Sequence, residues 1–389
     1  MVMKGILSEM ERYSIHRHSV LKAEKKEGKS LVVCTSTYVP TELIKAAGAN
    51  CYFLCRGGDP APSQAALDYT LECINPLARA TASYIILDGM DDLAADADLV
   101  VTAFTDSHMG RMSELMECKG LRVFKLGVPA DWQRDLAFGY YLKRLRELSG
   151  RLSELTGCPI DEEKAREEFR RSNRIKAVLR EINRLRREEP VTLGIETVLR
   201  LSYFSHRIAD ERGEELLAKA LEQARSGKPL FDSGAPRLLL AGRTVAEGDY
   251  RLMKLLDESG CPVVAEMLDE GLPVLDFDME LEGDLLENFA RKRFCQSLPI
   301  NSFQPAWKIR FSHMEQLIRD YRIDGVVWYQ LNYDEIYDME YACVSSWLRE
   351  RGIPIIKLET NYDYSPDKLK AYRNALGAFL AEAGKHRGK

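Results

Sequence analysis

The sequence predicts an α/β protein: two Rossmann- or flavodoxin-like lobes, each built on a parallel sheet, joined by a helical connector. Three observations carry this expectation. Short β-branched runs alternate with helix-like segments toward both ends of the chain. The strand signals vanish between Ala130 and about Arg225. A chain of 389 residues exceeds the usual span of a single core. The expected boundaries are 1–129 for a first lobe with a leading helix, 130–230 for the connector and 231–389 for the second lobe.

In chain order, SLVVCTSTYVP from Ser30 reads as a strand, TELIKAAG as a helix and ANCYFLC as a second strand, which makes a βαβ unit. DADLVVTAFTD then reads as a buried strand, SHMGRMSELMECKG as a helix ending at Gly120, and LRVFKLGVP as another strand. In the connector, Leu142, Leu145, Leu148, Leu152 and Leu155 recur at helical spacing. The Arg/Glu-laced segment from Asp161 to Glu189 is expected to be a solvated helix with i,i+4 ion pairs. The second lobe repeats the grammar: PRLLLAGR, DYRLMKLLDESG, CPVVAEML, MEQLIRDYRI, DGVVWYQL, YDMEYACVSSWLRERG and IPIIKLET, closing with a helix that opens at Ser365-Pro366. Trp328 and Tyr329 are expected as core or interface aromatics, with stacking on an adenine the second reading.

Several function classes are excluded at this level. A net charge of −5 and a pI of about 5.9, without a basic tail, argue against nucleic acid. No apolar run approaches the roughly 20 residues that cross a bilayer, and Met1 to Glu11 is charged where a signal peptide would be apolar, so no membrane role and a cytoplasmic location are expected. Nine widely spaced cysteines without a CxxC pair read as reduced thiols. No G-x-G-x-x-G, Walker, G-x-S-x-G or H-E-x-x-H pattern is present, and His16 and His18 alone are close enough to share a strand or extended face.

In open α/β sheets ligands bind beyond the carboxyl ends of the strands. The segments to watch are therefore Thr35–Tyr38, Phe104–His108, Gly242–Glu247, Gln330–Asp334 and Glu359–Tyr362, whose polar composition suits an anionic ligand.

Three stretches, TYVPTELIKAAG, DLVVTAFTDSHMGRMSELM and IDGVVWYQLNYDEIYDMEY with GIPIIKLETNYDYSPDKL, resemble the 2-hydroxyacyl-CoA dehydratase and benzoyl-CoA reductase family in content and in order. The resemblance implies a subunit of a heterodimer of related chains, with a self-pairing chain as the other possibility. It further implies an acyl-CoA or similar anionic substrate, a [4Fe-4S] cluster held by three cysteines, and an ATP-dependent activator. Iron–sulfur clusters need soft thiolate ligands. Here the three family ligand positions hold Asn75, Asp106 and Asn332, with Cys73 the nearest thiol to the first, so the cluster is expected to be lost or altered. The chain then supplies fold, dimer surface and part of an acyl-CoA cleft. The alternative is a non-catalytic, cluster-free binding or interaction paralogue.

The candidate site residues follow. His108, beside Asp106, is the favoured general base and Glu359, closing the last strand, a possible acid or base; a surface histidine and a capping carboxylate are the bland readings. Ser36, Thr37 and Tyr38 offer donors to a thioester or phosphate, against ordinary loop bonding. Arg243 offers a planar fork to an anion, against a structural ion pair, and Asn332 lies in a post-strand segment. Cys73 is a residual cluster ligand or a buried thiol. Asn75, Asp106 and Asn332 are expected to converge, and as oxygen donors would suit only a weak hard-cation site.

Overall fold

The computed structural model describes residues 2–131, 133–269, 272–273, 275–300 and 306–387. After the leading helix α1 (Val2–Lys26), the first lobe runs β1 (Leu31–Cys34), α2 (Thr41–Ala46), β2 (Asn50–Phe53), α3 (Pro60–Ala65), α4 (Pro76–Ile86), β3 (Leu99–Phe104), α5 (Ser107–Cys118) and β4 (Val123–Gly127). Four helices follow: α6 (Asp135–Thr156), α7 (Glu162–Leu185), α8 (Ile195–Arg207) and α9 (Glu211–Arg225). The second lobe runs β5 (Leu238–Gly242), α10 (Arg251–Glu258), β6 (Val263–Leu268), α11 (Leu285–Ala290), a π-helical turn (Arg291–Gln296), α12 (Ala306–Tyr321), β7 (Gly325–Leu331), α13 (Glu335–Glu350), β8 (Ile355–Thr360) and α14 (Pro366–Arg387).

Both sheets are four-stranded and parallel, and they share one topology: β2-β1-β3-β4 and β6-β5-β7-β8. The α/β fold of two parallel sheets is thus as the strand–helix alternation predicted. Central strands β1, β5 and β7 are buried along their whole length, which is why they read as unbroken apolar runs rather than alternating ones. Alternate residues serve opposite faces: Leu31 and Val33 pack with Ala78, Met112 and Met116 of α4 and α5, whereas Val32 and Cys34 face Tyr141 and Leu145 of α6. The second sheet does the same, Leu239 and Ala241 meeting Met314, Val344 and Leu348 of α12 and α13.

The leucine repeat of the connector forms the buried stripe of α6, with Leu145, Leu148 and Leu152 fully enclosed. Each contributes about 1.5–3 kcal/mol by burial. Leu199 of α8 and Leu238 of β5 belong to the same core, so the helices fill the space between the lobes rather than tethering them. The charged segment makes i,i+3 pairs (Glu163–Arg166, Glu167–Arg170, Glu168–Arg171), not the expected i,i+4 ones, and Arg171 and Arg174 reach Glu214 of α9. The expectation that His16 and His18 share an extended face is corrected: both lie in α1. That helix packs Ile6 and Met10 against α7, α8 and α9, while Lys25 pairs with Asp98 of the first lobe at 2.5 Å.

Backbone hydrogen bonds stitch the lobes: Glu247 N donates to Cys55 O (2.8 Å) and Gly57 N to Glu247 O (2.9 Å). The Gly57-Gly58 turn is explained by this junction. Gly58 has φ +81°, and a Cβ there would lie 2.5 Å from Asp249 Cα.

Candidate ligand site at the facing strand ends

In each sheet the chain reverses its direction of winding between the first and third strands, β1/β3 and β5/β7, and ligands in such sheets collect outside that point. The two switch points face each other. Arg243 directly follows β5, its N–H donating to Tyr329 O of β7 at 2.9 Å, and its side chain crosses toward the first lobe. Nη2 donates to Asp106 Oδ2 (3.3 Å), Nη1 to Tyr337 Oη (3.3 Å), and Nε stands 3.7 Å from Asp334 Oδ2. Asn75 Nδ2 donates to Asp334 Oδ1 at 2.9 Å, closing the contact from the other side.

Three of these residues are also helix caps, and for Asn75 and Asp106 the cap bond fixes the side chain. The Asn75 side-chain oxygen accepts from Ala78 N ahead of α4, Asp106 from Met109 N ahead of α5, and Asp334 precedes α13. The ring of His108, on the first turn of α5, accepts at Nδ1 from Asn75 N (3.4 Å) and directs Nε2 toward Asp334 (4.0 Å) and Glu335 (3.8 Å). With Nδ1 accepting, the neutral ring carries its proton on Nε2.

Behind the site the network continues without a break. Tyr337 Oη donates to Asp269 Oδ2 (3.0 Å), and the fully buried Arg310 bridges Asp269 (2.7 Å) and Glu340 (2.6 Å). Burial of Asp334, aided by the charges of Asp106 and Glu335, pushes its carboxyl up to about 7 against the pull of Arg243 and Asn75. Arg243 Nε and Asp334 Oδ2 are buried and make no hydrogen bond. Arg243 and Asp334 line a cavity of about 70 Å³ together with Asp106, His108, Glu335 and Ile336.

The structure therefore gathers Asn75, Asp106, His108 and Arg243. Asn332 lies short of the cluster, its backbone N–H bonded to Thr360 O (3.0 Å), and the residue that meets Asn75 and Arg243 is Asp334, two positions on. Glu359 pairs with Lys357 at 2.8 Å on β8 and does not line the cavity. Ser36 Oγ accepts from Tyr38 N, Thr37 is held by Arg293, and Tyr38 is buried beneath the Arg293 guanidinium, so these three face a different part of the molecule.

The thiols do not fit a cluster. The expectation of a buried thiol at Cys73 is corrected, since Cys73 is exposed, and among the described residues no cysteine lines the cavity around Arg243. Cys34 and Cys51 lie 3.6 Å apart in the first sheet, and Cys55 falls beyond the end of β2, against Tyr203 Oη, rather than on the strand as expected. A guanidinium, two carboxylates and an amide occupy the space, where a cluster needs soft sulfur ligands. Among the described residues, His18, Asp91 and Asp92 alone bring three ligand atoms together, and Lys22 already pairs with Asp92.

No helix among the described residues is long and apolar enough to cross a membrane. The chain is 24% identical over 366 residues to the putative dehydratase subunit YjiM of Escherichia coli K12, covering 92% of each chain. It is 23% identical over 373 residues to the beta subunit of (R)-2-hydroxyglutaryl-CoA dehydratase from Acidaminococcus fermentans (92% and 94% covered), and 19% identical over 357 residues to a subunit of benzoyl-CoA reductase from Thauera aromatica (92% and 91%). All three relatives are subunits by name. Residues 36–381 match the family model described as 2-hydroxyglutaryl-CoA dehydratase, D-component, and the chain belongs to that family.

Proposed function

We propose that this chain is a subunit of a 2-hydroxyacyl-CoA dehydratase- or benzoyl-CoA reductase-like complex that has given up its own iron–sulfur cluster and contributes part of an acyl-CoA cleft. The observation that carries the reading is the Asn75–Asp334–Arg243–Asp106 network, which fills with charge and hydrogen bonds the region where the family resemblance calls for thiolates. A cysteine-bearing sister chain would hold the cluster, and an ATP-dependent activator would serve that sister chain.

The chemistry left to this chain is recognition and proton handling. Arg243 Nε needs an acceptor and Asp334 Oδ2, when ionised, needs a donor, and they stand 3.7 Å apart. A hydroxyl group satisfies both at once, accepting from the guanidinium and donating to the carboxylate. A carboxyl poised near neutrality gives or takes a proton at pH 7, and His108 offers an N–H on the same side. Asp334 is thus a better-placed base than His108. A cavity of about 70 Å³ admits the acyl end of a thioester and leaves its nucleotide outside. Exposed Ile336 and Met339 on α13, with Tyr333 bonded to Glu72 beside exposed Leu71, give the mouth an apolar rim suited to a partner subunit.

The test is thermal unfolding of the isolated chain with a panel of 2-hydroxyacyl-CoA and aromatic acyl-CoA thioesters. Saturation at 100 times Kd stabilises by about 2.7 kcal/mol. At least one thioester is expected to raise Tm, with free CoA weaker and Asp334→Asn reducing the shift. No shift across the panel overturns the cleft, and a shift equal for free CoA and every thioester overturns the acyl assignment.

A further inference from the structure

We infer that the pocket enclosed by α2, α7 and α8 is a second ligand site, built for a small monocarboxylic acid with an apolar body. Among the described residues it shares no lining residue with the cavity around Arg243, and its own volume is about 80 Å³.

Among the described residues, the charges that line it do not cancel. Lys45, Lys176 and Arg293 bring three positive groups, Glu42 and Glu168 two negative ones, which leaves one positive charge over. Lys45 is committed, its Nζ donating to Ala209 O at 2.9 Å and standing 3.5 Å from Glu168. Arg293 is committed too: it donates to Thr37 Oγ1 (3.1 Å) and Ser297 Oγ (3.0 Å), with its guanidinium 3.5 Å from the centre of the Tyr38 ring. Lys176 is the uncommitted cation. It makes no ion pair or hydrogen bond with any described residue, and its ammonium lies 5.1 Å from the centre of the Phe277 ring. Burial lowers its affinity for the proton, so the ammonium is held at a cost that a bound anion would offset.

A second group in the same wall lacks a partner. His206 lies flat on Phe53, with ring centroids 4.3 Å apart and planes 13° apart, and its Nε2 is buried without a hydrogen bond. Burial, with the charges of Lys176 and Lys45, pushes the ring down to about 3, so it is a neutral imidazole able to donate one hydrogen bond. A buried polar atom without a partner is destabilising, and a carboxylate held between Lys176 and His206 would supply the missing acceptor.

The remaining walls fix the rest of the ligand. Phe277, Phe289, Ile175 and Val39 line the pocket beside the polar groups. An apolar body therefore suits them, and the single excess charge suits a monoanion. Inorganic phosphate matches the cations and leaves the aromatic walls without a partner.

The experiment is isothermal titration of the full chain with phenylacetate and hexanoate, with phenylacetamide and inorganic phosphate as comparators. The expected result is binding of at least one of the two carboxylates, at least tenfold weaker binding of the amide and of phosphate, a tenfold or greater loss in Lys176→Met, and retention in Lys176→Arg. Lys176 sits on a half-exposed face of α7, so an unchanged unfolding midpoint checks that the Met variant keeps its fold. The inference is overturned if neither carboxylate binds, if amide or phosphate binds as well as the acids, or if Lys176→Met, folded, binds like the wild type.

Discussion

Replacing Arg243 by Met removes the cation at the centre of the facing strand ends while keeping a side chain of similar reach. Two carboxylates lose their counter-charge: Asp106 Oδ2, which accepts from Nη2 at 3.3 Å, and Asp334 Oδ2, 3.7 Å from Nε. Asp334 is 3% exposed, so water cannot take the guanidinium's place. Breaking one side of a buried pair costs about 3–5 kcal/mol when the remaining charge persists. The cost depends on pH, and its sign follows from the raised carboxyl. Asp334 already titrates near 7 with Arg243 beside it, and without Arg243 its proton is held more tightly still. At pH 5 Asp334 is neutral in the folded wild type and in the folded variant, leaving the lost bonds from Arg243 to Asp106 and Tyr337 as the cost, about 1–3 kcal/mol. At pH 8 the wild-type carboxylate is paired, whereas the variant must bury it unpaired or pay to protonate it, and the cost rises toward the upper figure. Urea unfolding followed by tryptophan fluorescence, to which Trp328, fully buried in β7, contributes, reads the difference at the two pH values. The Asp334→Asn background should remove most of its pH dependence. A loss equal at pH 5 and pH 8, or no loss at either, would refute the electrostatic role assigned to Arg243.

Further expectations concern the rest of the fold. Asp249, buried between the hydroxyls of Tyr329 and Tyr364, is pushed up to about 6 by burial, against 3.8 in the unfolded chain. Between those values the unfolded chain has released a proton that the folded one keeps, so stability falls as pH rises, by about 3 kcal/mol at 1.36 kcal/mol per unit. Asp249→Asn should therefore flatten the stability profile between pH 4 and pH 6, read by thermal melts, and an unchanged slope would contradict the assignment. Gly58→Ala forces a Cβ against the Asp249 backbone at a residue with φ +81°, and should lower the unfolding midpoint, whereas Gly120→Ala, which meets no neighbour within 4 Å, should cost only the conformational term of about 1 kcal/mol. Arg310→Met strands Asp269 and Glu340 in the core and should destabilise by about 3–5 kcal/mol, with partial recovery in the Glu340→Gln background, measured by chemical denaturation.

Much of the fold was legible because it is local. Most strands of the two sheets announce themselves as short apolar runs of four to seven residues, and the post-strand segments already included Asp106, His108, Arg243 and Asp334 but not Asn75, Tyr337, Asp269, Arg310 or Glu340. What stayed hidden is long-range. Asn75 and Asp334 are 259 positions apart and Asp106 and Arg243 137 apart, so no spacing could pair them. The expectation that Asn332 joins Asn75 and Asp106 fails on the turn after β7: Tyr333 adopts φ +69°, and the second residue beyond Asn332 meets the first lobe. The second pocket was equally invisible, since Arg293 reaches Thr37 across 256 positions from a π-helical turn that no periodicity marks.

The central claim is that charge and hydrogen bonds stand in this chain where a metal cluster would need thiolates. The most direct test is iron and acid-labile sulfide analysis, with a visible spectrum, on the chain purified without oxygen and separated from any partner. Substoichiometric iron and no charge-transfer absorption are the predicted result, whereas about four irons and matching sulfide per chain, retained through separation, would contradict it.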